Sequence, residues 1–124
     1  MLRAHLTASV ALIVIARTAL ADGDPDLGKR QFAQCMACHT VEDGGPNKVG
    51  PNLHDIFGRK AGTLPGFSYS DALKNSGIVW DEAKIDEWIK KPAALVPGTK
   101  MAFFGVANDQ ARANIIAYLK QATK

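Results

Sequence analysis

The pattern of hydrophobic and polar positions predicts a helix near each end of the chain. Gly28, Phe32 and Cys35 fall at positions i, i+4 and i+7, on one face of a helix over residues 24–37, and Asp24 is suited to cap it. A glycine inside a helix costs about 1 kcal/mol relative to alanine. We therefore expect Gly28 to be where a second helix approaches closely.

The same periodicity predicts two more long helices and a short one. One begins after Asp81 and ends at Pro92, which cannot continue a helix, and the last begins after Asn108. Their apolar faces consist of Ile85, Trp88 and Ile89 in the former and Ala111, Ile115, Tyr118 and Ala122 in the latter. Residues 70–75 suit one or two helical turns capped by Ser70. No segment alternates well enough to be a strand, so the predicted fold class is all-α with about four helices.

Long irregular segments separate these helices. Residues 41–66 are rich in glycine and proline and lack a sustained period, and residues 93–105 are predicted to be extended or turned. A long loop without helices or strands is uncommon in a compact domain unless it serves a function. We therefore expect residues 41–66 to wrap around a bound group.

The stretch from Cys35 to His39 carries the clearest candidate chemistry. Two thiols separated by two residues and followed directly by an imidazole are typical of a c-type haem attachment site. The short, fixed separation lets both thiols reach the two vinyl groups on one porphyrin edge. The next residue then lies beneath the ring, where an imidazole nitrogen can bind iron.

Three other interpretations of these residues have less support. A redox dithiol also has the Cys-x-x-Cys spacing, but it accompanies a strand–helix–strand pattern and leaves His39 unexplained. A structural zinc site would need two more ligands, and only His5 and His54 remain. A disulfide between Cys35 and Cys38 would close a small, strained ring.

The first 21 residues have the form of a secretory signal peptide. Their start is mildly positive, residues 6–16 are largely apolar, and residues 19–21 (Ala-Leu-Ala) have the small-x-small form of a cleavage site. The apolar run is shorter than the roughly 20 residues of a membrane span, and Arg17 interrupts it. We expect cleavage after Ala21, which leaves residues 22–124 as one domain in the periplasm. A retained membrane anchor is the alternative.

Net charge adds little to this picture. The formal charge of +3 falls by two to +1 for residues 22–124, because Arg3 and Arg17 belong to the signal segment, which has no acidic residue. No basic run with interleaved aromatic residues is present, so nucleic acid is not an expected partner. A small exported domain without disulfides has a thin core, which a covalently held porphyrin would fill.

If His39 binds iron on one side, the residue on the other side decides the chemistry. An open position permits ligand binding or peroxidase activity, whereas a strong second ligand leaves only electron transfer. Met36 is held at the ring edge, and His54 lies in the loop expected to pass the His39 side. Met101 follows a turn at residues 97–98 and is far enough along the chain to reach the other face. These positions favour Met101 over His54, and a thioether ligand raises the reduction potential.

Several motifs occur together, in one order, over residues 24–122. They are Gly28 to Phe32, Cys35-Met36-Ala37-Cys38-His39-Thr40, Val49-Gly50-Pro51-Asn52-Leu53-His54, Phe57-Gly58-Arg59-Lys60, Pro65-Gly66-Phe67-Ser68-Tyr69, Trp80, Pro97-Gly98-Thr99-Lys100-Met101 and Ile115-Ile116-Ala117-Tyr118-Leu119. With these motifs the chain resembles the class I cytochromes c, in particular the small soluble bacterial forms that are close to mitochondrial cytochrome c. The resemblance implies the all-α cytochrome c fold, with about four helices and wrapping loops around one covalently bound haem c.

The resemblance also assigns ten residues to one haem site. The implied iron ligands are His39 and Met101, the implied thioether bonds come from Cys35 and Cys38, and the carbonyl of Pro51 is implied to accept a hydrogen bond from His39. The other matches surround the ring, with Tyr69, Trp80 and Arg59 at one propionate, Thr99 at the other and Phe103 on the Met101 side. Trp88 departs from the pattern, because the mitochondrial protein has a tyrosine there.

The implied function is that of a monomeric electron carrier that transforms no small-molecule substrate. It would take one electron from a membrane donor such as a cytochrome bc complex and pass it through the exposed haem edge. The acceptor would be a terminal oxidase, a photosynthetic reaction centre or another reductase. Basic residues near that edge would steer the carrier towards redox proteins with acidic docking surfaces, and they are Arg30, Lys48, Lys90, Lys91 and Lys100. A haem enzyme with an open iron position and a dithiol oxidoreductase are the rival functions.

Overall fold

The computed structural model describes residues 9–13 and 22–124 of the protein. The predicted signal segment, residues 1–21, lies outside this part of the chain except for residues 9–13. Among the residues described, no helix is both long enough and apolar enough to cross a membrane.

Six helices form the described part of the chain. They are α1 (Pro25–Gln31), α2 (Ala33–Met36), α3 (Asp71–Lys74), α4 (Glu82–Lys90), α5 (Pro92–Leu95) and α6 (Asp109–Ala122). The only strand-like pairing over residues 22–124 is an isolated antiparallel bridge between Lys60 and Val79. The predicted all-α class is confirmed.

Side-chain caps confirm the predicted helix starts. The carboxylate of Asp24 accepts hydrogen bonds from the first amides of α1. The side chains of Ser70, Asp81 and Asn108 each accept a hydrogen bond from the amide three residues further on, at the starts of α3, α4 and α6. Each cap satisfies a donor that a helix N-terminus otherwise leaves without a partner.

Two predicted boundaries are wrong. The first helix is not continuous over residues 24–37, because it is divided at Phe32 into α1 and α2. There the amide of Cys35 bonds to the carbonyl of Phe32, only three residues back, at 2.8 Å, which tightens the helix. The segment predicted to be extended or turned, residues 93–105, begins too early, because residues 93–95 belong to α5. Pro92 ends α4 as predicted, but it also begins α5, since proline fits the first turn of a helix, where no N–H is needed.

The terminal helices α1 and α6 pack against each other more extensively than any other pair of helices here. Gly28 is buried at the crossing, and a Cβ atom on it would overlap the carbonyl of Asn114. The ring centroids of Phe32 and Tyr118 lie 5.3 Å apart. The predicted close approach at Gly28 is confirmed.

Candidate haem site

A cavity of about 360 Å³ opens between the helices and the irregular segments. This volume lies within the range of about 300–1,000 Å³ that is typical of small-molecule and cofactor sites. All ten residues predicted for the haem site line it: Cys35, Cys38, His39, Pro51, Arg59, Tyr69, Trp80, Thr99, Met101 and Phe103. The fold therefore brings segments that are far apart in the sequence to one space.

The loop backbone holds His39 in one orientation. Its Nδ1 lies 2.7 Å from the carbonyl oxygen of Pro51 and donates to it, which leaves the lone pair on Nε2. Burial lowers the pKa of His39, the bond to Pro51 opposes this effect, and Lys48 adds a smaller lowering. The imidazole is therefore neutral at neutral pH, as a metal ligand must be.

A tight turn joins the two cysteines to His39. The amides of Cys38 and His39 both bond to the carbonyl of Cys35, at 3.1 and 3.0 Å. The two thiols are not joined to each other. Burial, with a smaller contribution from Cys38, raises the pKa of the Cys35 thiol to about 11. A dithiol oxidoreductase needs a thiolate of lowered pKa, so this environment argues against that interpretation.

Met101 occupies a turn that places it half-buried at the cavity wall. The Thr99 amide bonds to the carbonyl of Val96 at 3.1 Å, and the hydroxyl of Thr99 accepts the Met101 amide at 3.4 Å. The carbonyl of Met101 accepts the amide of Phe103 at 3.1 Å. The turn therefore presents a neutral thioether, a soft ligand suited to ferrous haem iron, to the cavity.

The alternative ligand, His54, is not among the residues that line the cavity. Its Nε2 lies 3.6 Å from a carboxylate oxygen of Asp55 and 3.9 Å from one of Asp43. Its amide donates to the side chain of Asn52 at 3.0 Å, as part of the loop. The position of His54 therefore agrees with the preference for Met101.

Polar groups are concentrated around Tyr69 and Arg59. The guanidinium of Arg59 donates to the carbonyl of Asn52 at 3.1 Å and to the carbonyl of His54. The Tyr69 hydroxyl accepts the Leu64 amide at 3.3 Å, which leaves its proton for another acceptor. Burial raises the pKa of Tyr69, although Leu64 and Arg59 act in the opposite direction. Tyr69 is therefore a donor at neutral pH and can bond a carboxylate.

Two features of the site were missed by the sequence analysis. Asn52 is only 8% exposed, and its side-chain amide donates to the hydroxyl of Thr40 and the carbonyl of Glu42 at 2.8 and 2.9 Å, which closes the loop beside His39. Phe67 lines the cavity edge-on to Tyr69, with ring centroids 4.9 Å apart. Neither residue belongs to a periodic face, so only their place inside glycine- and proline-rich motifs could have indicated them.

Comparisons with known proteins identify the family of the chain. The chain matches the family model for cytochrome c over residues 25–123. It is 50% identical over 109 residues to a cytochrome c2 of Rhodomicrobium vannielii, which covers 88% of this chain and 87% of that protein. It is 54% identical over 99 residues to a cytochrome c2 of Rhodoblastus acidophilus (80% of this chain, 92% of that protein) and 46% identical over 102 residues to a cytochrome c of Ginkgo biloba (82% and 90%).

The chain belongs to the cytochrome c family, and the resemblance inferred from its motifs is confirmed. It binds one covalently attached haem c with its iron, and it is an electron-transfer protein rather than an enzyme. The cavity fits this group, because two thiols, an imidazole with an available lone pair and a thioether line the same mainly apolar space.

Proposed function

We propose that residues 22–124 form a periplasmic one-electron carrier, released from a signal peptide over residues 1–21. It shuttles electrons between a membrane donor, such as a cytochrome bc complex, and an oxidase, a photosynthetic reaction centre or another reductase. One observation carries the proposal: the ten residues expected around a haem line a single cavity. The bacterial relatives named cytochrome c2 support a carrier of this class.

In this proposal, four side chains hold the cofactor. Cys35 and Cys38 would attach the ring through thioether bonds, and Nε2 of His39 and the sulfur of Met101 would bind its iron. The bound haem supplies a one-electron iron couple. The carbonyl of Pro51 fixes the plane of the imidazole and increases its basicity, and the apolar cavity wall keeps water from the iron.

The polar side chains of the cavity are proposed to hold the two propionates. Tyr69 and Trp80 donate to one carboxylate, and Thr99 donates to the other. Arg59 lies beside Tyr69 and offsets the buried negative charge. A propionate so held stays ionised inside the protein because it is hydrogen-bonded and near a cation.

The intact mass of the exported protein tests the covalent part of the proposal. We expect the mass of residues 22–124 plus one haem, with neither Cys35 nor Cys38 open to alkylation in the denatured chain. The variant Cys35→Ser is the control, since it can form at most one thioether bond. A haem-free chain with two reactive thiols, or a chain that retains residues 1–21, would contradict the proposal.

Residues in the cavity lining, or next to it along the chain, combine positive charge with exposed apolar side chains. Lys48 donates to the carbonyl of Met36 at 2.7 Å, which places its ammonium beside the attachment site. Met36, Val49 and Phe104 are exposed, and Phe104 is fully so. This surface suits a partner whose acidic residues surround an apolar centre, because charge speeds encounter while apolar contact fixes the complex.

Small redox reagents of opposite charge test the sign of this surface. We expect oxidation of the ferrous protein by anionic ferricyanide to slow as salt rises from 0.01 to 0.1 M (roughly 30 to 10 Å in screening length), and oxidation by cationic tris(phenanthroline)cobalt(III) to speed up. Lys100→Gln should weaken the salt dependence of both oxidation rates by a measurable fraction and leave the reduction potential unchanged. Lys120→Gln is the matched control, because it removes the same charge and the side chain of Lys120 pairs with Glu82, away from the cavity. Ferricyanide rates that rise with salt would refute the steering proposal.

A further inference from the structure

A buried arginine fastens the last helix to the end of the segment that carries Met101. Arg112, near the start of α6, is 3% exposed. One nitrogen of its guanidinium donates to the carbonyls of Val106 and Ala107, both at 2.9 Å. These carbonyls lie directly after the irregular residues 96–105, so Arg112 fixes where that segment ends.

Two carboxylates balance the charge of this arginine. Its Nε donates to Asp86 of α4 at 2.8 Å, and another nitrogen donates to Asp109. Burial alone would lower the pKa of Arg112, but the bonds to Asp86 and Asp109 raise it above its usual value. A planar guanidinium has five donors in a fixed fork, so it can serve four oxygens at once, whereas a lysine ammonium cannot match this geometry.

The same end of the segment is also pressed against the C-terminal end of α4. The amide of Val106 donates to the carbonyl of Ile89 at 2.8 Å. Gly105 has a φ of 109°, and a Cβ atom there would overlap the carbonyl of Lys90. Residues 105–107 are therefore held from two sides, by α4 and by Arg112 of α6.

The middle of the segment has far fewer bonds. Within residues 100–105, the only backbone–backbone bond in the described structure is that from Phe103 to Met101. Lys100, Ala102 and Phe104 are exposed. The position of Met101 therefore depends on how firmly the two ends of its segment are held.

We propose that Arg112, supported by Asp86, is a positioning residue that keeps Met101 at the iron and so sets how readily an external ligand displaces it. The inference rests on the proposed ligation by Met101. Without the guanidinium, the carbonyls of Val106 and Ala107 lose their buried donor, and the end of the segment loosens. Opening at Met101 then becomes easier while the packing of α1 on α6 is kept.

Imidazole binding to the ferric holoprotein measures this opening directly, since imidazole binds iron only when Met101 leaves it. We expect Arg112→Lys to raise the apparent imidazole affinity at least about tenfold, because a lysine ammonium cannot serve all four oxygens and each hydrogen bond lost from a charged donor is worth more than a neutral one. Asp86→Asn keeps the arginine but removes the negative charge that its Nε bonds, so we expect a smaller rise in imidazole affinity. If Arg112→Lys does not fold, the imidazole affinity of Asp86→Asn alone tests the proposal. The side chain of Asp86 is 43% exposed, so the protein tolerates this change.

Two variants control for general effects of stability. Lys120→Gln removes the other ion pair between α6 and α4, with Glu82, and does not touch the Met101 segment. Thr123→Ala removes a buried hydroxyl that bonds the carbonyl of Leu119 at 2.7 Å, and it lowers the global stability measured by urea unfolding. Imidazole affinity is expected to stay at the wild-type value in both.

The outcomes separate this inference from the proposed site. Wild-type imidazole affinity in Arg112→Lys, or equal rises in the control variants, would overturn the role of Arg112 while leaving ligation by Met101 intact. If the unsubstituted ferric protein lacks the long-wavelength absorption band of a thioether–iron bond, both proposals fail together.

Discussion

Replacement of Met101 by alanine is expected to lower the reduction potential by roughly 0.2 V, a quarter of the range of about 0.8 V that axial ligands set. The thioether is a soft ligand that stabilises ferrous iron, so its loss favours the ferric state. The ferric protein should also lose the weak absorption band at the red end of its spectrum. A redox titration followed by absorbance measures both effects in one sample.

Met36 provides the matched control for this experiment. It is also a methionine near the attachment site, but it is 49% exposed and is not among the cavity-lining residues. Met36→Leu should leave the potential and the red band unchanged. A Met101→Ala protein with nearly the original potential and spectrum would show that another group, or none, completes the iron coordination.

The second large effect is expected at the crossing of the terminal helices. Helix propensity alone predicts that Gly28→Ala stabilises the protein by about 1 kcal/mol. The structure predicts the opposite sign, because the added methyl group would overlap the backbone carbonyl of Asn114 and approach the Cβ of Tyr118. We expect a loss of about 3 kcal/mol in the free energy of unfolding, at the upper end for overpacking. Urea unfolding of the holoprotein measures it.

A neighbouring substitution separates this clash from a general effect on α1. Leu27 precedes Gly28 and is 44% exposed, so Leu27→Ala should cost less than about 1 kcal/mol. If Gly28→Ala were as stable as the parent or more so, α1 and α6 could not cross as closely as the structure places them.

Local features of the chain could be predicted because their physical causes are local. A capping side chain bonds an amide two or three residues away, so Asp24, Ser70, Asp81 and Asn108 identify helix starts without any knowledge of the tertiary fold. The attachment motif is local too, since it depends on the spacing of two thiols and an imidazole. The close approach of a second helix at Gly28 could also be predicted, though not its partner residue, because a glycine that weakens a helix needs a compensating close contact.

The remaining features depend on contacts between distant residues. Nothing in the periodicity relates Tyr69 to Thr99, and only the family resemblance placed them at one cofactor. Arg112 follows Asp109 by three residues and thus has the pattern of an ordinary exposed ion pair. Its burial arises because residues 105–107 fold over α6, which no local pattern records. Likewise, Pro92 ends one helix and starts another, and the sequence analysis recognised only the first role.

The contact between the terminal helices joins residues from the two ends of the chain, so it cannot form until nearly the whole chain is available. The amide of Asp24 bonds the side chain of Asn114 at 2.8 Å, across 90 positions of the chain. In an exported chain that leaves its translocation channel from the N-terminus, residues 35–39 emerge long before α6. Ile115 and Leu119, which close one wall of the cavity, arrive last. If the chain is exported as proposed, residues 35–39 are therefore not covered by α6 while the chain is in transit, and the wall formed by α6 is the last to close.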